Sequence, residues 1–298
     1  MKLIFSLSLA LIAAVASPAV AHAVAPLPQS TFAYDSRAPL NMKTVSQHRD
    51  GLALVREVWF DSANGRKIHA EIIAPAHTGR PRGAALFVHW LGDAKTTNLT
   101  EFHSDALTLA QHGCVSLLID AMWARPHWYD RIRLPATDYA RSIEQVIDLR
   151  RSLDLLVRQP AVDPRRIAFV GHDFGAMYGA VLSGIDPRPR WYVLMAGNPS
   201  FSEWYLLFPK LHPPKNRAAY LAQMAPLDPA LYLSESHAEE FLFQFSRRDD
   251  YIPLSRALQF TNAAPLPRGL FLYESDHSLH VPAAFDDRIG WLEKRLVP

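Results

Sequence analysis

Hydrophobic and polar residues alternate along two neighbouring segments, residues 54–60 and 67–74, on either side of Asn64-Gly65. Alternation with a period of two is typical of strands that bury one face. An Asn-Gly pair between two such runs favours a tight hairpin turn, because both residues tolerate positive φ. The pattern therefore predicts an antiparallel strand pair in this part of the chain.

Farther along, short apolar runs take turns with segments of helical periodicity. The predicted strands are residues 84–90, 114–120, 166–171, 191–197, 240–246 and 269–275, and the predicted helices are residues 100–113, 136–159, 174–184, 254–264 and 285–296. Strands without alternation are buried on both faces, which is typical of parallel sheets. The order predicts an α/β fold, with a mostly parallel central sheet, helices on both faces, an N-terminal antiparallel hairpin and a short cap segment over residues 198–236.

The first residues form a different pattern. Lys2 precedes an apolar run over residues 3–16, and small residues follow up to Ala23. This pattern predicts a secretory signal peptide over residues 1–23, cleaved after Ala21 or Ala23, and a periplasmic or secreted protein. A membrane anchor is the alternative, but a spanning helix needs about 20 apolar residues. Residues 24–50 are then an extended lead-in, and residues 51–298 form one domain.

Composition limits the class of partner. The formal net charge of the 298 residues is +2, and Lys and Arg are scattered, which argues against a nucleic-acid surface. Cys114 is the single cysteine, so an internal disulfide cannot form. The expected partner is a small-molecule substrate, with no membrane contact after signal cleavage, and the oligomeric state stays open.

Gly171-His172-Asp173-Phe174-Gly175 lies between a predicted strand and a predicted helix. A G-x-S-x-G motif in that position forms a nucleophile elbow, a sharp turn that presents the central side chain above the sheet edge. Here the central residue is Asp173. Two simpler hypotheses stay open, namely that Asp173 only caps the helix, or that it marks a site that binds without catalysis.

Two further polar residues follow the last two predicted strands. Asp249 follows one strand and His277 follows the other. Because the carboxyl ends of parallel strands meet at one sheet edge, both are expected near Asp173. The order of nucleophile, acid and histidine is that of the α/β-hydrolases. Asp250 is the alternative acid, and His280 is the alternative histidine.

From about residue 55 onward the chain resembles the α/β-hydrolases. VDPRRIAFVGHDFGA and RRDDYIP are similar to segments of dienelactone-hydrolase-like and acylaminoacyl-peptidase-like members. GHDFGA itself resembles the elbow of epoxide hydrolases and related dehalogenases, in which aspartate is the nucleophile. The resemblance implies hydrolysis of a small epoxide or halide through an ester of Asp173. It differs from those families at His89-Trp90-Leu91-Gly92-Asp93, where they usually have His-Gly, and at Phe174, where dehalogenases often have Trp.

In this mechanism His277, oriented by Asp249, activates water against the ester. The expected oxyanion donors are the backbone N–H groups of Phe174 and of Trp90 or Leu91. Aromatic residues of two loops are expected to wall the substrate pocket, namely Trp123, Trp128, Trp204 and Tyr205. No metal or organic cofactor is expected, because no H-E-x-x-H pattern occurs and three residues in one loop rarely hold a metal.

Two rival functions remain. The first is a dienelactone-hydrolase-like esterase or lactonase in which Asp173 acts as a general base for water. The second is a non-catalytic binding protein built on a hydrolase scaffold. The two carboxylate mechanisms differ in chemistry, because carboxylate attack on an ester gives a mixed anhydride, whereas attack on a saturated carbon gives an ordinary ester.

Overall fold

The computed structural model describes residues 24–77, 82–208 and 210–297. The predicted signal peptide, with Ala21 and Ala23, lies outside the described residues. In the described part, nine strands form one sheet in the order β1-β2-β3-β5-β4-β6-β7-β8-β9. The strands are β1 (Lys43–Asp50), β2 (Ala53–Asp61), β3 (Lys67–Pro75), β4 (Arg82–Val88), β5 (Val115–Ile119), β6 (Val162–His172), β7 (Pro189–Met195), β8 (Glu240–Ser246) and β9 (Arg268–Tyr273).

The sheet is mostly parallel, and its N-terminal part is antiparallel. β2 pairs with β3 across the predicted Asn-Gly turn, and β3 pairs antiparallel with β5. All pairs from β5 through β4 and β6 to β9 are parallel. The prediction of an α/β fold with an N-terminal hairpin is therefore confirmed.

β1 lies at the edge of the sheet and pairs antiparallel with β2. The sequence predicts an extended lead-in over residues 24–50, and in the structure this segment includes β1. Every residue of β1 is exposed. An edge strand that buries neither face has no need of alternating apolar residues, so its sequence carries no strand periodicity.

Helices cover the sheet: α1 (His103–Gln111), α2 (Pro135–Val157), α3 (Phe174–Ile185), α4 (Phe201–Tyr205), α5 (Arg217–Met224), α6 (Pro229–Ser234), α7 (Leu254–Ala263) and α8 (Pro282–Leu296). α1 contacts α8, and α2 contacts α3. Every residue of β5 is buried, as expected where helices cover both faces of a parallel sheet. α4, α5 and α6 lie within the predicted cap segment. Within the described ranges, no helix is long and apolar enough to cross a membrane.

Candidate active site

Asp173 lies at the sharp turn between β6 and α3. Its backbone has φ 55° and ψ −117°, a combination rarely adopted by a residue with a side chain. Two glycines permit this turn, since a Cβ on Gly171 would lie 2.4 Å from the carbonyl oxygen of Gly175, and a Cβ on Gly175 would lie 2.1 Å from that of Val88. The turn presents a side chain at the carboxyl end of β6, where ligand sites form in parallel sheets.

The two carboxylate oxygens of Asp173 have different surroundings. Oδ2 accepts a hydrogen bond from the backbone N–H of Leu91 at 3.0 Å. Oδ1 is buried and makes no hydrogen bond of ordinary geometry with the described residues, although the Trp204 side chain lies close enough to help lower the pKa of this carboxyl. The side chain does not cap α3. The helix-cap hypothesis therefore does not account for this aspartate.

His277 and Asp249 form a buried pair beside Asp173. Nδ1 of His277 lies 2.8 Å from Oδ2 of Asp249. Oδ1 of Asp249 accepts the backbone N–H groups of Tyr251 and Ile252, at 2.8 and 2.9 Å. The neighbouring Asp250 is exposed. Asp249 is thus the acid that orients the histidine, and Nε2 of His277 is left for chemistry.

His280, the alternative histidine, is exposed. Its ring meets the indole of Trp90 edge-on, with the ring centres 6.5 Å apart. The ring centre of His277 lies closer to the same indole, at 5.7 Å. Of the two candidates, His277 is the buried one with a carboxylate partner.

Burial dominates the electrostatics of Asp173. It raises the pKa of this carboxyl to about 6, although the charge of His277 and the N–H of Leu91 both lower it. Burial lowers the pKa of His277, but its hydrogen bond to Asp249 and the charges of Asp173, Asp249 and Glu101 together outweigh burial, so this pKa is raised. Burial raises the pKa of Asp249, but its hydrogen bond to His277, the charge of His277 and the two backbone N–H groups together outweigh burial, so this pKa is lowered. At neutral pH Asp173 is therefore mostly ionised, as a carboxylate nucleophile or base must be.

Of the two expected oxyanion donors in the loop after β4, the backbone N–H of Leu91 faces Asp173 and that of Trp90 does not. The N–H of Trp90 donates to Oε2 of Glu101 at 2.8 Å and so faces away from Asp173. The carbonyl oxygen of Trp90 accepts from Nδ1 of His89 at 2.7 Å. This carbonyl and the Leu91 N–H belong to one peptide group, so His89 both orients and polarises the donor.

Phe174 is the other expected donor. It is the first residue of α3 and directly follows Asp173. The N–H groups of a first helical turn have no partner within the helix. This position is suited to an oxyanion donor.

A cavity of about 110 Å³ adjoins Asp173 and His277. Its wall is mostly aromatic and aliphatic: Trp90, Leu91, Tyr129, Phe174, Trp204, Leu207, Phe208 and Tyr251. A water molecule takes up about 30 Å³ in the liquid, so a cavity of this size suits a ligand of few heavy atoms. Trp204 was expected in the wall. Tyr129, Leu207 and Phe208 were not, although they lie in the two loops singled out by their aromatic content, and Tyr251 lies in the loop that carries Asp249.

Three expected pocket residues lie elsewhere. Trp123, Trp128 and Tyr205 are buried and do not line this cavity. Their ring centres lie 5.3, 5.8 and 5.1 Å from that of Phe174, on which they pack. Trp123 and Trp128 border a separate groove. The structure therefore does not place these three side chains in the wall of this cavity, because aromatic composition does not reveal which way a loop turns its side chains.

Among the described residues, no group of three His, Cys, Asp or Glu side chains is arranged to hold a metal ion. His69 contacts two carboxylates, Glu57 and Asp120, but it donates to both and coordinates nothing. Cys114 is buried, which raises the pKa of its thiol to about 12. It is therefore not a reactive thiolate at neutral pH.

Comparison with known proteins identifies the fold. The acetyl xylan esterase from Paenibacillus sp. R4 is 19% identical, with a TM-score of 0.72 over 90% of this chain and 92% of that chain. Acetyl xylan esterase 1 from Thermoanaerobacterium sp. JW/SL YS485 is 14% identical, with a TM-score of 0.69 over 91% and 94%. The S-formylglutathione hydrolase from Agrobacterium tumefaciens is 16% identical, with a TM-score of 0.63 over 85% and 99%.

No family model and no curated protein matches the chain. The structural similarities, at these identities, define the fold alone. The chain has the α/β-hydrolase fold, with an aspartate where the nucleophile elbow presents its central side chain.

Proposed function

We propose that this protein is an exported hydrolase that forms a covalent ester on Asp173. Its substrate is a small, mostly apolar molecule with a saturated carbon bound to a leaving group, such as a halide or an epoxide oxygen. The main support for this proposal is the different hydrogen bonding of the two carboxylate oxygens of Asp173. Oδ2 accepts from the Leu91 N–H at 3.0 Å, whereas Oδ1 makes no hydrogen bond of ordinary geometry with the described residues and lies near the Trp204 side chain.

The two oxygens have separate roles in the first step. Oδ1 attacks the substrate carbon, a C–O bond forms, and the leaving group departs with the bonding electron pair. Oδ2 then becomes the carbonyl oxygen of the ester while it stays on the Leu91 N–H. Burial favours the step, because a carboxylate with few hydrogen bonds is a stronger nucleophile than a hydrated one.

Water cleaves the ester in the second step. Nε2 of His277 takes a proton from water, and the water oxygen attacks Cγ of Asp173. The charge that develops on Oδ2 is stabilised by the Leu91 N–H, an effect typically worth about 3 to 4 kcal/mol per donor. The bond between Cγ and Oδ1 breaks, Oδ1 leaves with the substrate carbon, and His277 gives its proton to this oxygen to complete the alcohol. Asp249 stabilises the intermediate imidazolium.

Halides are favoured over epoxides by the positions of the tyrosine hydroxyls. An epoxide oxygen needs a proton as it leaves, whereas a halide does not. The Tyr129 hydroxyl, in the cavity wall, donates to the carbonyl of Tyr205 at 2.7 Å. The Tyr205 hydroxyl contacts Tyr178, and the Tyr220 hydroxyl donates to Asp138, so neither acts in the cavity. Tyr251 also lines the cavity and is the candidate proton donor if the substrate is an epoxide.

Trapping the ester tests the proposal. Incubation of His277→Ala with a short bromoalkane is expected to add one alkyl group to Asp173, detected by mass spectrometry of the intact protein and its peptides. The double variant Asp173→Asn/His277→Ala is the control and should remain unmodified. An unmodified His277→Ala protein across bromoalkanes and epoxides would contradict covalent catalysis.

Ester hydrolysis is the second candidate, since several proteins with the same fold are named esterases. Asp173 would then act as a general base for water. An ester substrate turned over by the wild type without any covalent intermediate would favour this mechanism. Tight binding of a ligand without turnover would favour a binding protein.

A further inference from the structure

A buried carboxylate, Glu101, joins two of the loops that build the site. It lies just after the short helical turn at Asn98–Thr100, and its side chain is only 3% exposed. Oε2 accepts the backbone N–H of Trp90 at 2.8 Å. Oε1 lies 2.6 Å from Nδ1 of His172. One side chain thus holds the residue before the oxyanion donor and the residue before Asp173.

His172 extends this connection to a third loop. Its side chain is fully buried, and Nε2 lies 2.9 Å from the backbone carbonyl oxygen of His277. A carbonyl oxygen can only accept, so Nε2 carries a hydrogen. The indole of Trp90 stacks on the His172 ring, with centres 5.3 Å apart and planes 16° from parallel. The ring therefore has little freedom to turn.

Glu101 and His172 together contact three loops of the candidate active site. Trp90 lies in the loop after β4, His172 ends β6, and His277 lies in the loop after β9. These segments carry the oxyanion donor Leu91, the proposed nucleophile Asp173 and the proposed base. They are far apart in sequence, and their relative placement has to be right to a fraction of an ångström for catalysis.

We propose that Glu101 and His172 are positioning residues that fix the oxyanion donor, the nucleophile and the base relative to one another. They also place a positive charge beside the nucleophile. The proposal rests on the proposed function for the roles of Asp173 and His277. One ring nitrogen of His172 faces a carboxylate oxygen and the other faces a carbonyl oxygen, so the contacts suit a ring that donates from both nitrogens. The stacked indole face of Trp90 suits such a cation.

The charge acts on Asp173 together with its other neighbours. Burial raises the pKa of this carboxyl, and the charges of His277 and His172 and the Leu91 N–H oppose that rise. The groups that face His277 are Asp249, Asp173 and Glu101. Loss of the His172 charge is therefore expected to raise the pKa of Asp173 further.

Conservative and disruptive substitutions separate the geometric role from the charge. In Glu101→Gln, the amide oxygen can accept from Trp90 and the amide nitrogen can donate to a neutral His172, so the geometry is kept and the charge is lost. Glu101→Ala removes both hydrogen bonds. His172→Phe keeps a ring beneath Trp90 but loses the bond to the His277 carbonyl.

The first test needs no substrate. Carbon-13 NMR of the Asp173 carboxyl and nitrogen-15 NMR of the His277 ring, followed against pH, report both groups in each folded variant. Glu101→Gln should raise the pKa of Asp173 and leave the proton between His277 and Asp249 at its wild-type shift. Glu101→Ala and His172→Phe should broaden or lose that proton signal. Wild-type titrations and an unchanged signal in all three variants would overturn the proposal.

Turnover or alkylation gives the second test. Glu101→Ala and His172→Phe should lower kcat by about 10- to 100-fold with little change in KM, as expected for misplaced reacting groups. Glu101→Gln should recover most of that loss at alkaline pH and remain impaired at acidic pH. Wild-type pH profiles in every variant would refute the positioning role of Glu101 and His172 and leave the proposed function intact. Absence of any covalent ester would refute the proposed function alone.

A second buried pair, whose hydrogen bonds among the described residues include none to Glu101 or His172, supplies the control for general destabilisation. Asp105 of α1 and Arg288 of α8 form a buried ion pair. Asp105→Asn should lower thermal stability without changing the titration of Asp173 or the His277 signal. An equal effect of Asp105→Asn on those signals would show that the Glu101 and His172 results report stability rather than positioning.

Discussion

The backbone N–H of Leu91 donates to Oδ2 of Asp173 at 3.0 Å, so the donor expected to stabilise an oxyanion already holds one oxygen of the elbow aspartate. With a serine in this place, the donor would wait for a substrate carbonyl. With an aspartate, the carbonyl that develops negative charge is the enzyme's own. The altered elbow residue and the oxyanion donor are therefore mutually consistent.

Replacement of Asp173 is expected to stabilise the protein while it abolishes activity. A buried carboxyl whose pKa is raised to about 6 destabilises the fold once it is ionised. A rise of that size corresponds to about 3 kcal/mol at most. Asp173→Asn should therefore unfold at a higher urea concentration than the wild type at pH 7.5. The difference should shrink as the pH falls from about 6 to 4, where the wild-type carboxyl takes up its proton.

Asp249→Asn is the matched control for this prediction. In the folded wild type the pKa of Asp249 is lowered, so the ionised carboxylate contributes stability that is present at neutral pH and is lost as the pH falls. Asp249→Asn should therefore be less stable than the wild type at pH 7.5. If Asp173→Asn is instead less stable than the wild type at that pH, the fold stabilises the ionised carboxylate of Asp173 and the prediction is contradicted.

The two chemical steps should depend on pH through different groups. Ester formation needs ionised Asp173, so its rate should increase through a pKa of about 6. Ester hydrolysis needs neutral His277, so its rate should increase as the pH rises through the pKa of His277 in the ester, where the bond to Asp249 still raises this pKa but the charge of Asp173 no longer does. Rapid-quench kinetics with a bromoalkane separate the burst from the steady state. A burst rate independent of pH between 5 and 8, a range of about three units around that pKa, would contradict the assignment.

Removal of the Leu91 N–H should slow ester hydrolysis strongly. Leu91→Pro lacks the donor, and loss of one oxyanion donor typically lowers kcat by about 100- to 1,000-fold. Leu91→Ala keeps the N–H and serves as the control for the lost side chain. Single-turnover rates and circular dichroism of both variants distinguish a chemical effect from misfolding. Equal rates in the two variants would remove Leu91 from the oxyanion role.

Leu207 should limit the size of the substrate. It lines the cavity, whereas the adjacent Leu206 does not. Leu207→Ala is expected to improve kcat/KM for substrates one or two carbons longer by about tenfold, since one methylene in an apolar pocket is worth about 1 to 3 kcal/mol. Leu206→Ala should leave the chain-length preference unchanged. The same preference in both variants would place the substrate elsewhere.

The fold and the positions of Asp173, Asp249 and His277 follow from local sequence signals. Buried strands and helical periodicity predict the sheet, and the glycines around Asp173 predict a turn in which a Cβ would collide with the backbone. Residues that end parallel strands meet at one edge whatever their separation in sequence. These features depend on patterns within single elements.

Other features depend on how loops pack and cannot be read from such patterns. Trp90 and Leu91 are adjacent, and the Glu101 carboxylate decides which of the two N–H groups faces Asp173. Glu101 lies 71 positions from His172, and no motif connects them. Trp123 and Trp128 turn toward Phe174 because that ring fills the space behind the elbow.

A single turnover in oxygen-18 water tests covalent catalysis by Asp173 most directly. Excess wild-type enzyme is mixed with a substrate that it hydrolyses, and both the alcohol and the peptide containing Asp173 are analysed by mass spectrometry. The mechanism predicts an unlabelled alcohol and one oxygen-18 atom in the Asp173 carboxylate, because water attacks Cγ. Label in the product with none in Asp173 would contradict it.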